Sequence, residues 1–117
     1  MNNFTIYHNP RCSKSRLTLD LLKEKGINPE IILYLETPPS ETQLISILKK
    51  LKLEPRDLMR KGEAEFKEQN LLDESKSEKD LIRAMIECPK LIERPIVIYG
   101  ERAVIGRPPE NVLKIIK

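Results

Sequence analysis

The chain has 117 residues, 39% of them apolar, and 21 Lys and Arg against 18 Asp and Glu leave a net charge of +3. That length fits one domain with a modest core, and so weak a charge, with both signs interspersed, leaves no electrostatic footprint for nucleic acid. There is no Trp, and three Tyr and two Phe make no stacking platform, so aliphatic packing must carry the interior.

The first residues lack the apolar core of a signal peptide and no run approaches membrane-spanning length, so the expectation is a cytoplasmic protein with no membrane partner. Cys12 and Cys88 are too few for a disulfide scaffold. A Cys/His zinc site would need both cysteines, the single histidine His8 and a carboxylate or water, so no metal is expected.

In chain order, Phe4 to Tyr7 reads as a strand. The period then changes, and a helix is predicted over about 13–25, ended by Gly26. Pro29 opens a second strand with Ile31 to Leu35 as its apolar body, which completes the strand–helix–strand start of an α/β domain. After Pro38 and Pro39, Ser40 with Gln43 forms a capping-box pattern ahead of a helix whose apolar stripe is Leu44, Ile45, Leu48 and Leu51. Pro55 to Met59 reads as a short helical turn, and the polar stretch 61–76 as partly irregular. Ser77 with Asp80 repeats the capping pattern before a helix lined by Leu81, Ile82, Met85 and Ile86 and stopped by Pro89. "RPIVIYGERAVIG" predicts an antiparallel hairpin turning at Gly100 and Glu101, and Pro108 and Pro109 start a short closing helix through Val112, Leu113 and Ile116. Four strands suffice for a mixed sheet.

Cys12 stands where the first strand hands over to the first helix. A thiol at a helix N-terminus faces unpaired N–H groups and the positive end of the helix dipole, and both favour thiolate, the reactive form. Pro10, Arg11, Ser13 and Lys14 are poor companions for a deep apolar site, which favours a reactive cysteine over an inert one. The surroundings exclude some chemistries. A dithiol redox pair would place its second cysteine where this chain has Ser15. A tyrosine-phosphatase loop would need an arginine where it has Thr18, and no nucleotide P-loop is present. Cys88, ahead of a proline at the end of an apolar helix, reads as a packed cysteine. His8 fits either a hydrogen-bonding role near Cys12 or loop packing, and Ser15 either a hydroxyl for the thiolate or a first-turn helix serine.

"HNPRCSKSR" resembles the HNPxCxxSR loop of the glutaredoxin-coupled arsenate reductase (ArsC) family. The likeness continues through "RKGEAEFKEQNL", "MIECPKLIERPIV" and "AVIGRPPE", four ordered segments across nearly the whole chain. It implies a thioredoxin-like α/β fold, a mixed four-stranded sheet with an inserted helical region, here about 40–88 of a single domain 1–117. It also implies catalytic residues: Cys12 as nucleophile, with Arg60, Arg94 and Arg107 around an oxyanion and His8 and Ser15 as supporting residues. Thioredoxin-like domains place a cis proline opposite the active cysteine, and Pro95 takes that position. Clustered guanidiniums suit a tetrahedral anion, because arginine offers fixed charge and a planar fork of donors.

The activity implied is reduction of arsenate to arsenite through a covalent cysteine–arsenate intermediate. Glutathione would be the cosubstrate and glutaredoxin the partner, with no tightly bound cofactor: no flavin, nicotinamide or metal. The loop departs from the best-characterised members, which carry a smaller "CGTS"-like stretch where this chain has "CSKS". Lys14 thus adds charge and bulk beside the nucleophile. There are two alternatives: a thiol-linked enzyme acting on another substrate and, from another class, a non-enzymatic regulator that binds RNA polymerase. The second often uses a CxxC switch, which Ser15 removes.

Overall fold

The computed structural model describes residues 4–116. It is an α/β fold built as two compact units, one from the chain up to Thr37 together with Arg94 onward, the other from Pro38–Glu93.

In the first unit, β1 (Phe4–His8) leads into α1 (Ser13–Glu24), and β2 (Glu30–Leu33) follows; β3 (Ile96–Tyr99) and β4 (Arg102–Ile105) form the hairpin. The sheet order is β2-β1-β3-β4. β1 runs parallel to β2, with Ile6 opposite Ile31, and antiparallel to β3, with Ile6 opposite Val97. The sheet is therefore mixed, with β1 and β3 central. The hairpin closes where Tyr99 pairs with Arg102, and Gly100 supplies a φ of +62° there, the sign a type II′ turn needs at its first central residue.

Alternation along β1 and β3 places Phe4, Ile6 and Val97 in a core completed by Leu22 of α1 and by Val112 and Ile115 from the C-terminal segment. Phe4 and Tyr99 stack at 4.3 Å. The buried residues of α1 are Ser15, Thr18 and Leu22, whereas Leu17 is 51% exposed. The mixed leucine spacing in this helix has that cause: its inward face begins with two hydroxyl side chains, and a leucine is left outside. The helix ends at Glu24, and Gly26 takes a φ of +78°, as a glycine past a helix end commonly does.

Two expected boundaries shift. β2 stops at Leu33 because the amides of Glu36 and Thr37 both donate to the Leu33 carbonyl and turn the chain, and Ile31 and Leu35 are each 44% exposed. The closing helix is a 3-10 helix, Pro109–Lys114.

The second unit holds α2 (Glu41–Leu51), a 3-10 turn (Pro55–Leu58), α3 (Ala64–Glu68) and α4 (Glu78–Glu87). Both predicted capping boxes are present: Ser40 Oγ accepts from the Gln43 N–H and Ser77 Oγ from the Asp80 N–H. Each such cap is worth about 1 kcal/mol. The inner face of α2 is Leu44, Ile47 and Leu48. Ile45 is 38% exposed instead of belonging to the stripe, because i, i+3, i+4 spacing from Leu44 lands on Ile47 and Leu48. In α4 the buried set is Leu81, Ile82, Ala84 and Met85. An isolated antiparallel bridge between Met59 and Ile92 ties the chain just after the Pro55–Leu58 turn to the end of this unit. No described helix is long and apolar enough to cross a membrane.

Candidate active site

The loop between β1 and α1 is folded by its own polar groups. The Arg11 amide donates to Asn9 Oδ1 at 3.0 Å, the Cys12 amide to the Asn9 carbonyl at 3.0 Å, and Arg16 Nη1 to the Pro10 carbonyl at 2.8 Å. These bonds place Cys12 at the N-cap of α1, in extended conformation, while its carbonyl already accepts from the Arg16 amide. The first-turn N–H groups thus face its side chain.

Cys12 is partly buried, and burial raises a thiol. The Ser15 backbone N–H, the hydrogen bond and charge of the Arg94 guanidinium, and the Lys14 N–H outweigh that penalty and hold the Cys12 thiol below its ordinary value. Arg107 Nη1 lies 3.8 Å from Cys12 Sγ. Cys12, Arg94 and Arg107, which come from three separate sequence segments, therefore meet at one sulfur. Such a group can act as a nucleophile toward an anion, because the guanidiniums offset the approach of like charges.

His8 and Ser15 meet beside them. Ser15 Oγ accepts from the Asn9 amide at 3.0 Å and lies 2.6 Å from His8 Nδ1. The serine hydroxyl can accept from the backbone N–H and still either donate to or accept from Nδ1, so the contact fits either tautomer of the neutral imidazole. Burial chiefly, then the charges of Lys23 and Arg16 against the opposing Asp20, lower the His8 pKa and favour the neutral form. The positive field at Cys12 thus comes from arginine and backbone N–H groups.

Arg60 belongs to the second unit. Its amide donates to the Leu91 carbonyl at 2.7 Å beside the Met59–Ile92 bridge. Its guanidinium pairs with Glu63 at 3.7 Å and Glu93 at 3.6 Å, and Nη1 is buried without a hydrogen bond among the described residues. Cys88, also in this unit, caps the C-terminus of α4. Burial first and Glu65 second raise its thiol above the ordinary range, the reverse of Cys12.

Some features escaped sequence reasoning. Asn9 shapes the cysteine loop through its side chain, which an Asn ahead of Pro-Arg in a turn could have suggested. The Arg94–Pro95 bond is cis, as the resemblance implied, and Arg107–Pro108 is cis as well. Among the described residues, no three His, Cys, Asp or Glu side chains group as a metal site would require.

The family model "ArsC family" matches residues 7–115. The chain is 58% identical to Escherichia coli uncharacterized protein YfgD over 95% of this chain and 94% of that protein. It is 52% identical to an arsenate reductase of Haemophilus influenzae over 95% of this chain and 97% of the relative. Among solved structures, an arsenate reductase from Vibrio cholerae superposes with a TM-score of 0.96 at 52% identity, covering 98% of each chain. A thiol lowered by backbone N–H groups and Arg94 beside a mixed α/β sheet, together with matches of this extent, places the chain in the ArsC family of thioredoxin-like redox enzymes, which includes arsenate reductases.

Proposed function

We propose that this chain reduces arsenate to arsenite, with the Cys12 thiolate as nucleophile, Arg60, Arg94 and Arg107 as oxyanion-binding cations, and His8 and Ser15 as supporting residues. The observation that carries the reading is the thiol at the start of α1. It is served by two backbone N–H groups and Arg94, with Arg107 3.8 Å away. In this reading residues 1–117 act as one ArsC-like domain, with about 40–88 as its insertion.

Cys12 Sγ attacks arsenic(V) and forms an S–As bond while one oxygen leaves as water, its protons drawn from the medium. A glutathione thiolate then displaces the arsenic. Cys12 and glutathione together give up two electrons and are joined as a mixed disulfide, and arsenic leaves as arsenite. A glutaredoxin thiol breaks that disulfide by exchange and returns Cys12 to the thiolate. Thiols supply every electron, so the cycle uses glutathione as cosubstrate and fits the reducing cytoplasm. Ser15, buried and hydrogen-bonded to His8, stands where a dithiol switch would have its second sulfur. That favours an enzyme with external thiols over a redox-switched, polymerase-binding regulator. Exposed Lys14 beside the nucleophile supports one second reading, a thiol-linked enzyme of the same mechanism acting on a different oxyanion.

The test is a coupled assay with arsenate, in which glutathione and glutaredoxin are supplied separately and together. Turnover is expected only with both, and Cys12→Ser should abolish it. A folded wild-type chain with no turnover in the complete mixture would refute the arsenate reading, and turnover by the Cys12 variant would refute the nucleophile.

A further inference from the structure

We infer that Thr18, together with Asn111, is a positioning residue that sets Arg107 and Arg94 against the Cys12 sulfur by clamping Gly106 and its neighbours to α1. Thr18 is fully buried, and its hydroxyl lies 3.1 Å from the Gly106 carbonyl, across 88 residues of sequence, and 2.8 Å from the Lys14 carbonyl in its own helix. Gly106 also donates its amide to the Pro95 carbonyl at 2.9 Å. One residue thereby joins three segments: the helix that begins at Cys12, the peptide that follows Arg94, and the backbone that continues into Arg107.

The packing leaves no slack at this junction. A Cβ on Gly106 would sit 2.5 Å from Thr18 Oγ1 and 2.9 Å from Pro95 Cγ, distances that real side chains do not tolerate. Gly106 is required here for close approach. Asn111 holds the same loop from its other side, its Nδ2 donating to the Ile105 carbonyl at 3.0 Å and the Arg107 carbonyl at 3.1 Å. The carbonyls of three consecutive residues, 105 to 107, are thus held by side chains of two helical segments. The Lys14 carbonyl sits within regular α1 and so has a helical amide partner of its own. The hydroxyl proton is shared between a carbonyl of its own helix and the Gly106 carbonyl, and only the second contact ties α1 to another segment. A guanidinium acts on a thiolate only where it is held, and a small misplacement of a positioning contact weakens the whole arrangement.

The test replaces Thr18 with Val, which keeps the shape and removes the hydroxyl, and with Ser, which keeps the hydroxyl. The thiol titration of Cys12 is read from the pH dependence of its alkylation in a Cys88→Ser background. A second readout is protection of Cys12 from alkylation by added arsenate. Thr18→Val should raise the thiol pKa and leave arsenate protection about two- to tenfold weaker, the equivalent of one net hydrogen bond. Thr18→Ser should restore most of both. Asn111→Leu should act in the same direction and serves if Thr18→Val does not fold. The second readout rests on the proposed oxyanion chemistry, whereas the first does not. Wild type without arsenate protection would sink the arsenate reading and leave the titration to decide this one. Variants that are folded, with lowered thermal stability alone and a wild-type thiol titration, would overturn the inference, as would failure of Ser to restore it.

Discussion

Arg94→Gln should raise the pKa of the Cys12 thiol and slow its alkylation about tenfold at a pH below its titration. Of the side chains near the sulfur, Arg94 is the one that lowers its thiol through both a hydrogen bond and a charge, Ser15 and Lys14 contribute backbone N–H groups, and Arg107 stands further off at 3.8 Å. A hydrogen bond to a charged group is worth about 1.5–3 kcal/mol when buried. Cys12 is only partly buried, and solvent screens the charge, so about 1–2 kcal/mol is appropriate here. At about 1.4 kcal/mol per factor of ten, that is a roughly tenfold loss of thiolate below both pKa values. The assay is the rate of alkylation by iodoacetamide against pH, with Cys88→Ser as background so that one thiol reports. Arg94→Lys should fall between wild type and Gln, because it keeps the charge and loses the planar fork. A folded Arg94→Gln protein whose thiol titrates like the wild type would refute the assignment of Arg94 as the main side chain that lowers the thiol.

Four other outcomes are expected. Cys88→Ser should keep most turnover in the coupled assay, because burial and Glu65 hold that thiol protonated; large loss in a folded variant would give Cys88 a redox role. Arg60→Ala should lower turnover by about 10²–10³, the usual cost of removing one preorganised donor, and undiminished turnover would remove Arg60 from the oxyanion-binding set. Ser77→Ala should cost about 1 kcal/mol in urea unfolding, since it removes a complete capping box from α4. The lowered thiol of Cys12 also makes stability depend on pH. The folded chain binds fewer protons there than the unfolded chain, so this contribution is fully present above the unfolded thiol value and is lost as pH falls through the folded one. Comparing Cys12→Ser with its parent, both in the Cys88→Ser background, by urea titration should show a stability difference that grows with pH across that window. A pH-independent difference would contradict it.

Local signals in the sequence marked most of the elements. Ser40 and Ser77 announce helix starts through contacts three residues away, and Gly100 marks a turn by its own φ. Burial was harder to read where it departed from apolarity. Ser15 and Thr18 occupy the inward face of α1, while Leu17 lies outside. The polar pair is buried because each hydroxyl has a partner: His8 and the Asn9 amide for one, carbonyls for the other. No periodicity of apolar residues can reveal that. Edge position has the same effect on β2, where Ile31 is opposite Ile6 in register yet exposed on its own strand.

The candidate site shows the same division between local and distant information. Cys12 is legible because its helix cap, its loop and the N–H groups that serve it all lie within a few residues. Arg94 and Arg107 carry no local mark of their role, since arginine beside proline is ordinary in a loop, and only family motifs singled them out. What brings them to the sulfur is a set of contacts between residues far apart in sequence: Gly106 on Pro95 and Thr18 on Gly106, with Asn111 fastening the loop alongside. In such an arrangement the reactive sulfur depends on a glycine and a threonine that touch no substrate. Substitutions that spare every charged group should therefore still change the thiol, and Thr18→Val, which removes a single buried hydroxyl, separates that dependence from the charges themselves.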